Sequence, residues 1–377
     1  MSVAKQFEIT QNRRVFYGEG AISNVSKLFD PGVKVFVLTY SKSAAITASI
    51  EAELKNAGIA YTVSDRVQTE PDLFAIDETV AAIKEAGAGA ILAIGGGSVL
   101  DAGKAAAMIA ANGGVAEDYQ MRGKVFEKRP IPLVMVPTTA GTGSEATKVA
   151  VIYNNNNHLK KSIYSPWMVA DAVILDPVAT AALPPAVTAA TGIDALSHAI
   201  ESFVSLDANV YTEMYSLQAM RIVYKSLAKA VADGADMEAR ADMLYASYYA
   251  GVALHAGIGL AHIIAQPIGG LFKIPHGDAC SIFLPHAMEY NLGHAAQKYC
   301  QVATALGGDG SPSGAIRAVN AIIKAAGAPT KLGPYLEGKN FKIDDAVTTI
   351  FGATGHIKCN PRPVDAEIIK ITILKTI

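Results

Sequence analysis

In the first half of the chain, short β-branched runs alternate with stretches of helical periodicity. Val33 to Thr39 precedes an amphipathic Ser43 to Ala57, Ala60 to Val63 precedes Ile76 to Ala86, and Ala90 to Ile94 runs toward a helical Val99 through Ala110. That rhythm predicts βαβ units on a parallel sheet. Pro132 to Val136 predicts another buried strand. Val149 to Tyr153 and Leu159 to Tyr164 flank Asn154-Asn155-Asn156-Asn157, a turn-forming run that predicts a hairpin. Val173 to Leu175, stopped by Asp176-Pro177, predicts the last strand. From Pro184 onward long Ala- and Leu-containing helical patterns take over, among them Tyr211 to Ala232, Met237 to His255 and Ala315 to Ala326. The expectation is an α/β domain over 1–183 and an all-helical domain over 184–377, divided at Leu183-Pro184-Pro185.

Size agrees with that division, since 377 residues exceed the length at which a single core stops growing. With 32 basic against 34 acidic residues the net charge is −2, so no basic surplus points to nucleic acid or an anionic membrane. Cys280, Cys300 and Cys359 are too few and too scattered for a disulfide framework or paired zinc loops, which predicts a reducing cytoplasm. The run from Met1 to Gly20 carries charges where an export signal needs an apolar core. Tyr245 to Phe272 has no formally charged side chain and is long enough to span a bilayer. Its glycines, Pro267, Gln266, His255 and His262 suit a buried helix around a site better, so no membrane span is expected.

Two loops carry candidate cofactor chemistry. Ala90 to Ile94 runs into Gly95-Gly96-Gly97-Ser98 and then a helix bearing Asp101 and Lys104. Glycines between a strand and a helix let backbone amides approach a phosphate at the positive helix end. The spacing is neither that of a Rossmann fingerprint nor of a Walker loop, so a plain tight turn remains the alternative. The second loop, Pro137-Thr138-Thr139-Ala140-Gly141-Thr142-Gly143-Ser144-Glu145, offers several hydroxyls to a ribose or pyrophosphate, or caps a helix near Ser144.

A metal constellation is also visible. Asp194 and His198 are four residues apart, which on a helix puts both on one face. His262 and His276 follow, with Gly269-Gly270 and Pro275 between them to turn the chain back. Each histidine alone reads better as a hydrogen-bonded core residue than as a ligand. One carboxylate with three imidazoles suits Fe²⁺ or Zn²⁺.

With these residues in view, the chain resembles the iron-containing, or group III, alcohol dehydrogenases over essentially its whole length. The motifs that carry the resemblance are GGGSVLDAGK at 95 to 104, PTTAGTGSE at 137 to 145, GIDALSHAIES at 192 to 202 and PHGDACSIFLPH at 275 to 286. The Phe16-Tyr17-Gly18-Glu19-Gly20 opening and Asn360-Pro361-Arg362-Pro363 support it. The resemblance implies a dinucleotide-binding α/β domain and a helical metal-binding and substrate domain, an architecture shared with dehydroquinate synthase, with the active site in the cleft between them. It implies Asp194, His198, His262 and His276 as metal ligands, with His262 and His276 at the catalytic centre. Gly95, Gly96, Gly97 and Ser98 are expected around the pyrophosphate, and Asp101, Thr138, Thr139, Thr142 and Lys161, next to Lys160, around the cofactor. The implied reaction is hydride transfer between NAD(P) and a small alcohol or aldehyde, in a homodimer or larger homo-oligomer.

Two positions depart from the family. Where many members carry a second histidine, four residues after the third ligand, this chain has Gln266, which cannot titrate. His255 is then the candidate proton relay, or merely part of the site wall. Thr39-Tyr40-Ser41-Lys42 lacks the acid that often follows the first strand in NAD-preferring members. Lys42 with its neighbouring hydroxyls suits a 2′-phosphate, so NADP(H) is expected over NAD(H). The rival readings are a zinc-dependent glycerol dehydrogenase-like polyol oxidoreductase, a dehydroquinate synthase-like lyase and a non-catalytic nucleotide-binding scaffold.

Overall fold

The computed structural model describes residues 6–67, 70–157, 159–353 and 356–377. By mutual packing the chain divides into two compact units, one built from Thr10–Thr139 and Ser144–Ala182, the other from Leu183–Ile377 with residues 6–9 and Ala140–Gly143.

The first unit is organised by a six-stranded parallel sheet. Its strands are β1 (Arg14–Tyr17), β2 (Val35–Thr39), β3 (Tyr61–Ser64), β4 (Ala90–Gly95), β5 (Leu133–Pro137) and β8 (Ala172–Leu175), in the order β1-β8-β5-β4-β2-β3. The central strands β2, β4, β5 and β8 are buried at every position, as expected for a parallel sheet covered on both faces. One face carries α1 (Ala45–Asn56), whose Ile46, Ile50 and Leu54 pack with Val25, Val35 and Val37. The helices α2 (Leu73–Ala86) and α3 (Gly97–Asn112) pack on each other, and α3 also packs on β4 and β5. Asp72 caps α2 by accepting from Ala75 N at 2.7 Å, a bond worth about 1 kcal/mol. A short α4 (Ala116–Gln120) follows, and β6 (Val149–Asn154) and β7 (Leu159–Tyr164) form the expected antiparallel hairpin.

The strand β1 is a finding rather than an expectation. The apolar run Val15-Phe16-Tyr17 is too short to announce a buried strand, and the exposed–half-buried–half-buried–exposed profile of Arg14 to Tyr17 is that of an edge strand. It is drawn into the sheet by pairing with β8, Arg14 opposite Ala172.

The second unit is helical: α5 (Pro185–Val204), α6 (Val210–Ala232), α7 (Met237–Ala253), α8 (Leu260–Phe272) and α9 (His276–Asn291) come first, and among the described residues five further α-helices follow. From Gly192 to Val204 every residue of α5 is buried, and Ile193, Leu196, Ile200 and Phe203 join one continuous core with residues of α6 to α9. Burying such side chains contributes roughly 1.5–3 kcal/mol each. The helix expected over Met237 to His255 ends at Ala253, tightens into one 3₁₀ turn and is stopped by Gly257 at φ 80°, a left-handed conformation open to glycine. The uncharged stretch noted in the sequence is therefore two helices meeting at 107°. No single helix among the described residues is long and apolar enough to cross a membrane.

Candidate active site

The helical unit brings the four metal candidates together. Asp194 and His198 sit one turn apart on α5, His262 lies in the first turn of α8, and His276 is the first residue of α9. From Asp194 Oδ1 the Nε2 atoms of His262, His276 and His198 lie at 3.3, 3.4 and 3.6 Å, and one donor atom from each of the four residues falls within 4.8 Å of all the others. Donors about 2.1 Å from a tetrahedral ion stand about 3.4 Å apart, so these separations fit a shared divalent cation. The rings of His198 and His262 stack at 4.5 Å. Asp194, His198 and His262 are buried, whereas 39% of the His276 side chain is exposed, so His276 forms the open edge of the cluster.

Outer partners fix the ring orientations. Glu201, one further turn along α5, places Oε2 2.5 Å from His262 Nδ1 and accepts from Ala261 N through Oε1 at 2.7 Å. Such a carboxylate holds the imidazole so that Nε2 faces the ion. His198 Nδ1 lies 3.3 Å from the Gly141 carbonyl. Asn360 Oδ1 accepts from Leu260 N and from Asn291 Nδ2, tying the start of α8 to α9. This gives the late Asn-Pro-Arg-Pro motif a positioning role. Gly277 explains the residue after His276: a Cβ there would stand 2.0 Å from the Ala190 carbonyl oxygen, so α9 can start this close to α5 only without a side chain.

Charge in the cluster is balanced internally. Burial pushes the Asp194 carboxyl up, but His198, His276 and His262 together outweigh it and hold the group well below the usual carboxylate range. Burial lowers His198, against a smaller opposing pull from Asp194. Burial also works against charge on His262, yet Cys280, Glu201 and Asp194 prevail and raise it well above the ordinary imidazole value. Cys280, one turn after His276, puts Sγ 3.5 Å from Asp194 Oδ1, and burial pushes its thiol up to about 12. Glu201 and Cys280 were absent from the sequence-based site. Their signal was helical spacing, i+7 from Asp194 and i+4 from His276.

In the α/β unit the candidate cofactor residues lie at the carboxyl ends of adjacent strands. The chain runs from β2 outward to β3, then back past β2 to β4, which makes the gap between β2 and β4 a topological switch point where ligands of such sheets bind. Gly95 closes β4, and no side chain caps α3, so the amides of its first turn face whatever lies beyond. Gly96, Gly97 and Ser98 are half-buried, and a Cβ on Gly96 would press on the Thr139 side chain at 3.2 Å. Thr138 donates its backbone N–H to Gly95 O at 2.9 Å.

Other members of the predicted set are engaged inside the protein. Asp101 accepts from Ser144 Oγ at 2.5 Å and Val151 N at 2.9 Å and pairs with the fully buried Lys104 at 2.9 Å. It braces the second loop. Thr39 is buried, its hydroxyl 2.8 Å from that of Thr47. Tyr40 is exposed, Ser41 bonds Ser43 at 3.0 Å, and Lys42 pairs with Asp65 at 3.2 Å. Lys161 lies half-buried on β7 while Lys160 pairs with Glu70. Thr142 is half-buried in the segment that belongs to the helical unit. His255 Nδ1 lies 3.0 Å from Val252 O, and His255 is not one of the four convergent residues.

Comparison with known proteins bears on both units. Residues 12–177 match the family model for iron-containing alcohol dehydrogenase, and residues 188–377 match the C-terminal model of the Fe-containing alcohol dehydrogenase family. An NAD-dependent methanol dehydrogenase of Bacillus methanolicus is 37% identical over 295 residues, 77% of each chain. The crystal structure of a 1,3-propanediol oxidoreductase superposes with a TM-score of 0.93 at 30% identity, covering 99% of this chain and 100% of its own. A sulfoacetaldehyde reductase of Bifidobacterium kashiwanohense, solved in complex with NAD⁺, superposes at 0.90 with 27% identity and 99% coverage of both chains.

Proposed function

Because this chain belongs to the iron-containing alcohol dehydrogenase family, we propose that it is a metal-dependent alcohol dehydrogenase and aldehyde reductase that moves a hydride between a nicotinamide dinucleotide and a small alcohol or aldehyde. The observation that carries this reading is the convergence of three imidazole Nε2 atoms on Asp194 Oδ1 within 3.6 Å.

Asp194, His198, His262 and His276 would hold Fe²⁺ or Zn²⁺. A cation bound there would supply Lewis-acid polarisation of a substrate oxygen, favouring hydride transfer at the adjacent carbon. Asp194 contributes the single negative charge that offsets the cation. Glu201 keeps His262 in the tautomer whose Nε2 faces inward, and the exposed side of His276 leaves an approach for substrate. The domain roles follow: 1–183 binds the dinucleotide through Gly95 to Ser98, Thr138 and Thr139, and 184–377 holds metal and substrate. Gln266 does not titrate, which leaves His255, on the 3₁₀ turn after α7, as the candidate relay.

NADP(H) is the cofactor we favour, because the loop of Tyr40, Ser41 and Lys42 itself carries a base and no acid, the nearest acid, Asp65, coming from the end of β3. Three free cysteines fit a cytoplasmic enzyme, and the family likeness fits a homo-oligomer.

The test is a His198→Ala or His276→Ala variant. It should lose metal and turnover together while retaining dinucleotide affinity. Full turnover from a metal-free variant would overturn the reading.

A further inference from the structure

The loop that follows β2 holds a cation whose partner is not on that loop. Lys42, three residues past the end of β2, pairs through Nζ with Asp65 Oδ1 at 3.2 Å, and Asp65 is the residue immediately after β3. Since β2 and β3 are neighbours with Leu38 opposite Ser64, the ion pair links the carboxyl ends of two adjacent strands, on the β3 side of β2 and away from the glycine loop after β4. In a doubly wound sheet the group following this strand faces the adenosine ribose, where an acid selects the 2′-hydroxyl and a base accepts a 2′-phosphate. Here the acid and the base are both present, but the acid comes from β3.

From this arrangement we propose that Asp65 is the positioning residue that sets the choice between NADH and NADPH, by holding the Lys42 ammonium in an ion pair that a 2′-phosphate must displace. The inference rests on the dinucleotide-binding role of this unit.

Three observations support it. The loop is preorganised: Thr47 Oγ1 donates to Ser41 O at 3.0 Å and Ser41 Oγ lies 3.0 Å from Ser43 Oγ, so Lys42 leaves a fixed backbone. The pair is accessible, with 55% of the Lys42 and 30% of the Asp65 side chain exposed, so exchange of partner needs no unfolding. The neighbouring cation Arg66 pairs with Glu78 on α2 at 3.6 Å rather than with Asp65, so Lys42 is the cation that Asp65 holds. The hydrogen bond from Lys42 also holds the Asp65 carboxyl below its ordinary value, so the acid is charged, and competes, throughout the neutral range.

An exposed ion pair is a weak competitor, so the effect is a modest and directional shift. In metal-loaded protein, Asp65→Asn should tighten NADPH about two- to fivefold and leave NADH unchanged. Lys42→Met should weaken NADPH by a similar factor. In the Asp65→Asn/Lys42→Met double variant the gain from Asp65→Asn should vanish, because Asp65 acts through Lys42. Titration of the four proteins with NADH and NADPH, followed by the fluorescence of the bound reduced nicotinamide, reads all of this, and constant NADH affinity reports intact folding. Unchanged NADPH affinity in Asp65→Asn, or a gain that persists in the double variant, overturns the proposal while leaving dinucleotide binding in place. Failure of the parent protein to bind either cofactor overturns both this and the reading on which it rests.

Discussion

Glu201→Gln is the perturbation that most sharply separates a built metal site from a chance cluster of histidines. The carboxylate makes two contacts in a buried setting, with His262 Nδ1 at 2.5 Å and Ala261 N at 2.7 Å. When His262 binds a cation through Nε2, Nδ1 carries the proton and donates, so Glu201 must accept twice. A glutamine has one acceptor and one donor end. Its oxygen can serve either Ala261 N or His262 Nδ1, and the amide nitrogen then faces a second donor. Losing one such bond and leaving a buried donor unmatched costs about 1–3 kcal/mol. Outer-sphere partners of metal-bound histidines are worth about 10- to 100-fold in affinity, or 1.4 to 2.7 kcal/mol, so the two routes agree. The assay is competition for Zn²⁺ or Co²⁺ between the apo-protein and a chromophoric chelator, with dinucleotide titration as the folding control. Metal affinity within twofold of the parent would show that Glu201 does not orient a ligand, and the site as described here would be wrong.

Further outcomes follow from the same geometry. Gly277→Ala places a methyl 2.0 Å from the Ala190 carbonyl oxygen, so α9 must shift. Denaturant unfolding should show a loss of about 1–3 kcal/mol and metal affinity should fall with it, whereas parental values of both would refute the close approach. Burial pushes Glu145 up to about 7 from an ordinary 4.5. An acid with a raised folded-state value costs stability as pH rises through that interval, here about 3 kcal/mol in all. Glu145→Gln should therefore raise the melting temperature on the alkaline side of pH ~7 and leave it nearly unchanged near the ordinary glutamate value, and equal shifts at both would contradict the assignment. If His255 relays the proton, His255→Asn should flatten the acid limb of the kcat–pH profile without altering metal content. An unchanged profile would return His255 to a structural role.

The fold was largely legible because its signals are local. Buried parallel strands read as the apolar runs at 35–39, 90–94 and 133–136, and the Asn154 to Asn157 turn announced the hairpin. What was missed depends on distant pairing: β1 is a strand only because β8 lies beside it. In the helical unit, Asp194 and His198 could be placed on one face from spacing alone. The arrival of His262 and His276 depends on the bend after Gly257 and on Gly277 fitting against Ala190, neither of which a linear pattern encodes. The α/β unit shows the converse. Asp101 and Thr39 lie in cofactor-like motifs, yet their polar groups are engaged within the protein, because loops that present backbone amides must themselves be braced.

Metal-dependent hydride transfer is read most simply from the near-ultraviolet absorbance of reduced nicotinamide. Protein reconstituted with Fe²⁺ under argon would be offered NADPH and NADH in turn with a panel of short aldehydes, before and after chelation. Aldehyde-dependent loss of absorbance should stop when the metal is removed and return when it is restored. Turnover that survives complete removal of metal, or none with either cofactor despite bound metal, would contradict metal-dependent hydride transfer.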